Sequence, residues 1–155
     1  MREETKKHKS GFTLLELLVV VLIIGILAGI ALPQYKLAVG KAQYATIKNI
    51  TKSLAEAKQR YYLMHDTIEG INLYNLDIEV PPKTDCYIET SGNNVKCYKK
   101  IFGINMHYHH NAFTNLPMYC VAGSRDKTDI ANQICKSETG EENGACRSTY
   151  CTYTY

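Results

Sequence analysis

A chain of 155 residues, 45% hydrophobic and 21% charged, with a formal net charge of +3, has room for one modest domain and excludes a two-domain enzyme. No Ser-His-Asp set, phosphate-binding glycine loop or CxxC pair is evident, so catalysis has no support and no cofactor is expected. The averages hide a segmented chain: from Phe12 to Leu32 only Thr13 and Glu16 are polar, and the first of the six cysteines is Cys86.

Residues 1–11 place Arg2, Lys6, Lys7 and Lys9 against Glu3 and Glu4 and end in Gly11, which reads as a cytoplasmic leader. The apolar run that follows would extend about 30 Å as a helix, the thickness of a bilayer's hydrocarbon core. Basic residues before it and none within it put the leader in the cytoplasm and everything after Pro33 on the far side. A secretory signal peptide cleaved near Gly29 and Ala31 is the competing reading. The run exceeds the roughly 7–15 residues of such a segment, and it contains an acid. That acid, Glu16, costs about 2.5–3.5 kcal/mol in hydrocarbon if central and less near an end, so it asks for a function. Thr13-Leu14-Leu15-Glu16 also fits a capping box, which supplies a purely structural role. Gly25 and Gly29 form a Gly-x-x-x-Gly pair, a weak packing signal, and Pro33 is expected to kink or loosen the helix.

Lys9-Ser10-Gly11-Phe12-Thr13-Leu14-Leu15-Glu16, an apolar helix and then Leu32-Pro33-Gln34-Tyr35 resemble the class III signal of the type IV pilin and type II secretion pseudopilin superfamily. The likeness is close over about 35 residues. It implies cleavage by a prepilin peptidase after Gly11, N-methylation of Phe12, and a role for Glu16 and Pro33 in assembly. The implied partners are other pilin-like subunits in a homo- or hetero-oligomeric fibre, and an inner-membrane assembly platform with its ATPase. The implied course runs from a single-pass inner-membrane protein to a periplasmic or surface fibre. The implied fold is α+β, a lollipop in which one long helix packs on a small antiparallel sheet.

Between Gln34 and Met64, Leu37, Tyr44, Ile47, Ile50, Leu54, Ala57 and Tyr61 recur at helical spacing, with Lys36, Lys41, Lys48, Lys52, Lys58 and Arg60 assigned to the other faces. A single helix from Thr13 to Met64 would be about 78 Å long. The expected organisation is a leader at 1–11, a membrane and assembly half-helix at 12–33, an amphipathic half-helix at 34–65 and a head at 66–155. Residues 66–85 read as a loop. Cys86 to Thr90 and Val95 to Lys100 flank a turn at Ser91–Asn94, as in a hairpin. Ile101–His110 and Pro117–Ala122 are further strands, and 128–134 is a short helix or turn. The tail is Gly, Ser, Thr and Tyr, held by cysteines.

The six cysteines, Cys86, Cys97, Cys120, Cys135, Cys146 and Cys151, allow 15 pairings. A disulfide framework is expected over a metal site because all lie on the oxidising side. Local pairing, 86–97, 120–135 and 146–151, is the expectation. A turn at 91–94 would however set Cys97 opposite Ile88 and leave Cys86 diagonal to it, too far for a relaxed bridge without a bulge. His107 and His109 share a strand face without a third ligand, and read as an exposed strand edge. Asp126, Asp129, Glu138, Glu141 and Glu142 lack a calcium-loop pattern and read as solvated turns.

The leading function is a structural pilin-like subunit. A pseudopilin of the periplasmic pseudopilus is the near alternative, and a minor pilin for DNA uptake or adhesion a further one. The charge is +2 over residues 1–11, −1 over 12–35, +5 over 36–65 and −3 over 66–155. The head is therefore mildly acidic, which weighs against nucleic acid as a partner.

Overall fold

The computed structural model of the chain describes residues 11–89, 93–114 and 116–155. Leader residues 1–10, and Thr90, Ser91 and Gly92 of the expected turn, lie outside them. The elements run α1 (Leu14–His65), β1 (Asp85–Ile88), β2 (Asn94–Ile101), β3 (Ile104–Asn111), β4 (Tyr119–Ala122), α2 (Ile130–Thr139), β5 (Ala145–Cys146) and β6 (Cys151–Thr154). The fold is α+β, and the chain divides into two compact units, residues 1–35 and 36–155.

In the first unit the large apolar side chains from Phe12 to Leu32 are exposed around the whole helix. A helix apolar on every side has no stripe to dock on a globular core, and this one is long and apolar enough to cross a bilayer. Pro33 lies inside α1, and the helix continues through it rather than breaking. The proline costs one hydrogen bond, the one the Gly29 carbonyl would have accepted, and the bonds on either side keep the helical path.

In the second unit α1 buries Gly40, Tyr44, Ile47, Thr51, Leu54, Ala55, Ala57 and Lys58. The expected stripe is therefore right for Tyr44, Ile47, Leu54 and Ala57, while Leu37 and Ile50 are only partly covered. Lys58 corrects the expectation of a solvated face. Its stem crosses the core and its Nζ donates to the Glu89 carbonyl at 2.7 Å, an apolar stalk carrying its polar tip to an acceptor. Burial lowers the Lys58 pKa, and Glu89 opposes that shift. Thr51 satisfies itself by donating to the Ile47 carbonyl at 2.8 Å. Gly40 is more than a tolerated helix breaker: a Cβ there would come within 2.6 Å of Ile134 Cδ1, so its absence lets α2 lie close against α1.

The six-stranded sheet is antiparallel throughout, in the order β1-β2-β3-β4-β6-β5. Alternate residues point to the helices. Val95, Cys97, Met106, Tyr108, Cys120, Ala122, Cys151 and Tyr153 form the core with the α1 stripe and with Ala131, Ile134 and Cys135 of α2. Tyr108 sits at its centre, edge-on to Tyr44 at 6.3 Å and to Tyr155 at 5.5 Å. The third strand starts three residues later than expected, because Phe102 and Gly103 both take positive φ and close a two-residue hairpin of the type whose twist suits paired strands. Ile101 thereby ends β2 opposite Ile104. The tail supplies β5 and β6, which its Ser, Thr and Tyr composition did not announce.

Three disulfides link 86–97, 120–135 and 146–151. The geometric objection to the first disappears because the register differs from the expected one by two residues. Ile88 faces Val95, and Cys86 lies directly opposite Cys97 with Cα atoms 4.0 Å apart. The pairing extends to Glu89, whose N–H donates to the Asn94 carbonyl at 3.1 Å, so the connection lies one residue earlier in the chain than the expected turn. Cys146 and Cys151 are likewise directly opposed, and the Cys120–Cys135 bridge ties β4 to α2.

Candidate functional site

Gly11, Phe12 and Thr13 precede α1 and are exposed. Thr13 is the first residue whose carbonyl enters the helix, accepting from Leu17 N–H at 3.2 Å. Its own N–H and its Oγ1 both donate to Glu16 Oε2, at 2.8 and 2.7 Å, and Glu16 N–H donates back to Thr13 Oγ1 at 3.2 Å. This is the reciprocal capping box: two otherwise unpaired helix-start amides gain acceptors, and the carboxylate is fixed in the first turn, where the helix dipole favours it. The sequence expectation of a local role for Glu16 therefore has a geometry. Position 11 is open, for a Cβ there would meet nothing within 4 Å. An exposed Gly-Phe junction one helical turn ahead of a positioned carboxylate is what this end of the chain offers.

The other sequence-flagged groups do not converge on chemistry. Among the described residues no cluster of three or more His, Cys, Asp or Glu could hold a metal. Asp126 accepts from Thr128 N–H at 2.9 Å and from its hydroxyl at 2.6 Å, and Asp129 accepts from Ser124 Oγ. Glu138 pairs with Lys48 at 3.3 Å, and a Glu141 oxygen accepts from Thr154 N–H. These acids hold turns and cross-links.

His107 and His109 are not on an edge, as the sequence suggested. β3 is an interior strand, and the two imidazoles lie half-buried on the outer face of the sheet, ring centroids 6.2 Å apart. Burial, followed by the neighbouring His107 and Lys96, holds the His109 pKa down to about 4, with Glu89 pulling weakly the other way. Burial and then Lys96 also lower His107. The unfolded chain, with a histidine pKa near 6.5, takes up the proton first. Stability is thus full above about pH 6.5 and declines as the pH falls toward 4. Wild type is expected to lose about 1–2 kcal/mol more than His109→Asn between pH 7 and pH 5 in urea melts of the full chain in detergent. Equal losses would remove His109 as the cause.

Comparison with known proteins returns to the N-terminus. Residues 6–32 match the family described as the prokaryotic N-terminal methylation motif. The chain is 39% identical over 64 residues to a fimbrial protein of Neisseria meningitidis serogroup B, covering 41% of this chain and 38% of that protein. It is 44% identical over 57 residues to the fimbrial protein EcpC of Eikenella corrodens, covering 37% of each. It is 44% identical over 52 residues to a type IV major fimbrial protein FimA of Dichelobacter nodosus, covering 34% of this chain and 33% of the relative. The chain thus spans under two fifths of the length of these relatives. No solved structure matches significantly. With the motif seated on an exposed junction, a capped glutamate and a membrane-length apolar helix, the chain carries the prokaryotic N-terminal methylation motif and is similar to type IV fimbrial proteins over roughly its first two fifths.

Proposed function

We propose that this protein is a type IV pilin-like structural subunit, cut after Gly11 by a prepilin peptidase, N-methylated on Phe12 and polymerised through its N-terminal helix into a pilus-type fibre. The observation that carries the reading is the methylation-motif match at residues 6–32 on a helix that is apolar on every side and begins with the Thr13–Glu16 box. Before assembly, residues 12–33 hold the chain in the inner membrane with the leader in the cytoplasm and the head outside. Polymerisation moves the apolar helix from lipid into the fibre, where other subunits cover it. The energy comes from a partner ATPase at the inner-membrane platform.

Two charges govern register in this scheme. Cleavage leaves a cationic amine on Phe12, and Glu16 of one subunit meets the amine of a neighbour. Either charge alone in a low-dielectric fibre core is costly, so misplaced subunits are rejected. The three disulfides and the α2–sheet core make the head a rigid cargo on that helix. Mass spectrometry of the mature chain tests the proposal. The expected N-terminus is methylated Phe12, in a protein that immunogold microscopy finds in surface fibres. A chain starting near Leu32 would reveal a cleaved secretory signal and end the reading.

A further inference from the structure

The face of the sheet turned away from the helices holds a groove of about 830 Å³, within the range of ligand sites. All six strands contribute to it, from Tyr87 on β1 to Ala145 on β5. Five strand spacings of about 4.8 Å make it about 24 Å across, which suits a chain-like ligand better than a single ring. The Cys146–Cys151 hairpin forms one end, with Arg147, Thr149 and Tyr150 in its loop.

The lining has a definite chemistry. Tyr87 stacks on Tyr98 with centroids 5.7 Å apart, Tyr98 lies 5.2 Å from His107, and His107 6.2 Å from His109. The rings face one another, so a ligand meets ring edges, hydroxyls and ring nitrogens. Asn105, Thr152 and Thr154 add further groups that both donate and accept. Burial keeps both imidazoles neutral at pH 7, so they do the same. Such a lining suits a polyhydroxylated ligand and not an apolar peptide. Two cations also line the groove. Lys96 is loosely paired with Glu89 at 3.6 Å. Arg147 is exposed and uses its backbone N–H on the Tyr150 carbonyl, while its guanidinium has no hydrogen bond or ion pair among the described residues. An uncommitted guanidinium is a planar, two-pronged receptor for a carboxylate.

We propose that this groove binds an acidic polysaccharide, a chain of sugar rings bearing carboxylates, with Arg147 clamping a carboxylate and the Tyr–His file meeting the sugar hydroxyls. Single-stranded nucleic acid fits less well. The rings are already stacked on each other and leave no slot for a base. The proposal is independent of fibre formation and is tested on the single chain.

The test is calorimetric titration of the intact chain in detergent with a hexamer of galacturonic acid, its methyl ester, and an oligothymidylate of equal length. The acid hexamer is expected to bind at least tenfold more tightly than the ester. Arg147→Gln, an exposed loop change that leaves the core untouched, should remove that preference without altering ester binding. Tyr98→Ala should weaken both sugars, with an unchanged melting temperature certifying its fold. No heat from the acid hexamer at millimolar concentration, unchanged affinity in Arg147→Gln, or tighter binding of the oligothymidylate would each overturn the proposal.

Discussion

Glu16→Ala is expected to insert and be trimmed normally yet fail to enter fibres, with at least a hundredfold drop in the sheared surface fraction. In the assembled state its removal leaves a neighbour's Phe12 amine buried without a counter-charge, which costs about 3–5 kcal/mol per junction. At an effective dielectric near 20, two unit charges 4 Å apart attract by about 4 kcal/mol, so the pair can hold register and a single survivor cannot. Alanine also removes the cap, and the two roles need separating. Glu16→Gln does this: a glutamine can keep the Thr13 hydrogen bonds of the capping box but brings no charge. If charge directs assembly, the glutamine variant fails as badly as alanine while its helix content stays unchanged. A glutamine variant that assembles at wild-type levels would reduce Glu16 to a cap. Mass spectrometry of the membrane fraction reads trimming in both variants.

The largest expected loss of stability comes from Asn132→Ala, about 3–5 kcal/mol. Asn132 is fully buried in α2 and uses its whole amide. Nδ2 donates to the carbonyls of Ser124 and Asp126 at 3.1 and 2.8 Å, and Oδ1 accepts from the buried Tyr153 hydroxyl at 2.9 Å. One side chain therefore joins the loop after β4, helix α2 and strand β6. Truncation strands the buried Tyr153 hydroxyl, worth about 1–3 kcal/mol unpaired, removes the side-chain donor that ties down the Ser124 and Asp126 carbonyls, and opens a small cavity besides. The Tyr153 ring cannot swing far in response, because it lies against Gly144, where even a Cβ would come within 2.6 Å of it. Tyr153→Phe should cost only about 1–2 kcal/mol, having left a single acceptor unpaired. The double variant should fall short of the sum, since both delete the same bond. Urea melts of the full chain under non-reducing conditions provide the numbers. A loss below 1 kcal/mol for Asn132→Ala would mean that the Cys120–Cys135 bridge alone positions α2.

The N-terminal motif was legible because its parts are local: Gly11, Phe12, Thr13 and Glu16 lie within a turn or two of helix, and periodicity exposes the stripe from Tyr44 to Ala57. What sequence hid is set by distant partners. Lys58 reads as solvated until β1 ends beside it and offers the Glu89 carbonyl. The Cys86–Cys97 register depended on where the connection falls, which a run of turn-forming residues specifies only to within a residue or so. β5 and β6 are too short and too polar to show a pattern, and exist because the sheet edge and the Cys146–Cys151 bridge hold them. The outer groove is assembled from alternate residues of six strands, so Tyr98, His107 and Arg147 look unrelated until strand order brings them onto one face.

The three bridges have a bearing on how the head is made. Each cysteine is joined to the next one in the chain, first to second, third to fourth, fifth to sixth, across separations of 11, 15 and 5 residues. In the topology proposed above, a head threaded outward behind a membrane-held helix would expose its thiols in that same order. Oxidation of each new thiol with the one immediately before it yields the native set with no bond to undo, and short loops make those encounters the most frequent ones. Under the proposed topology, biogenesis is expected to need an oxidant on the far side of the membrane and not an isomerase, so secretion order itself would act as the proofreader of the fold.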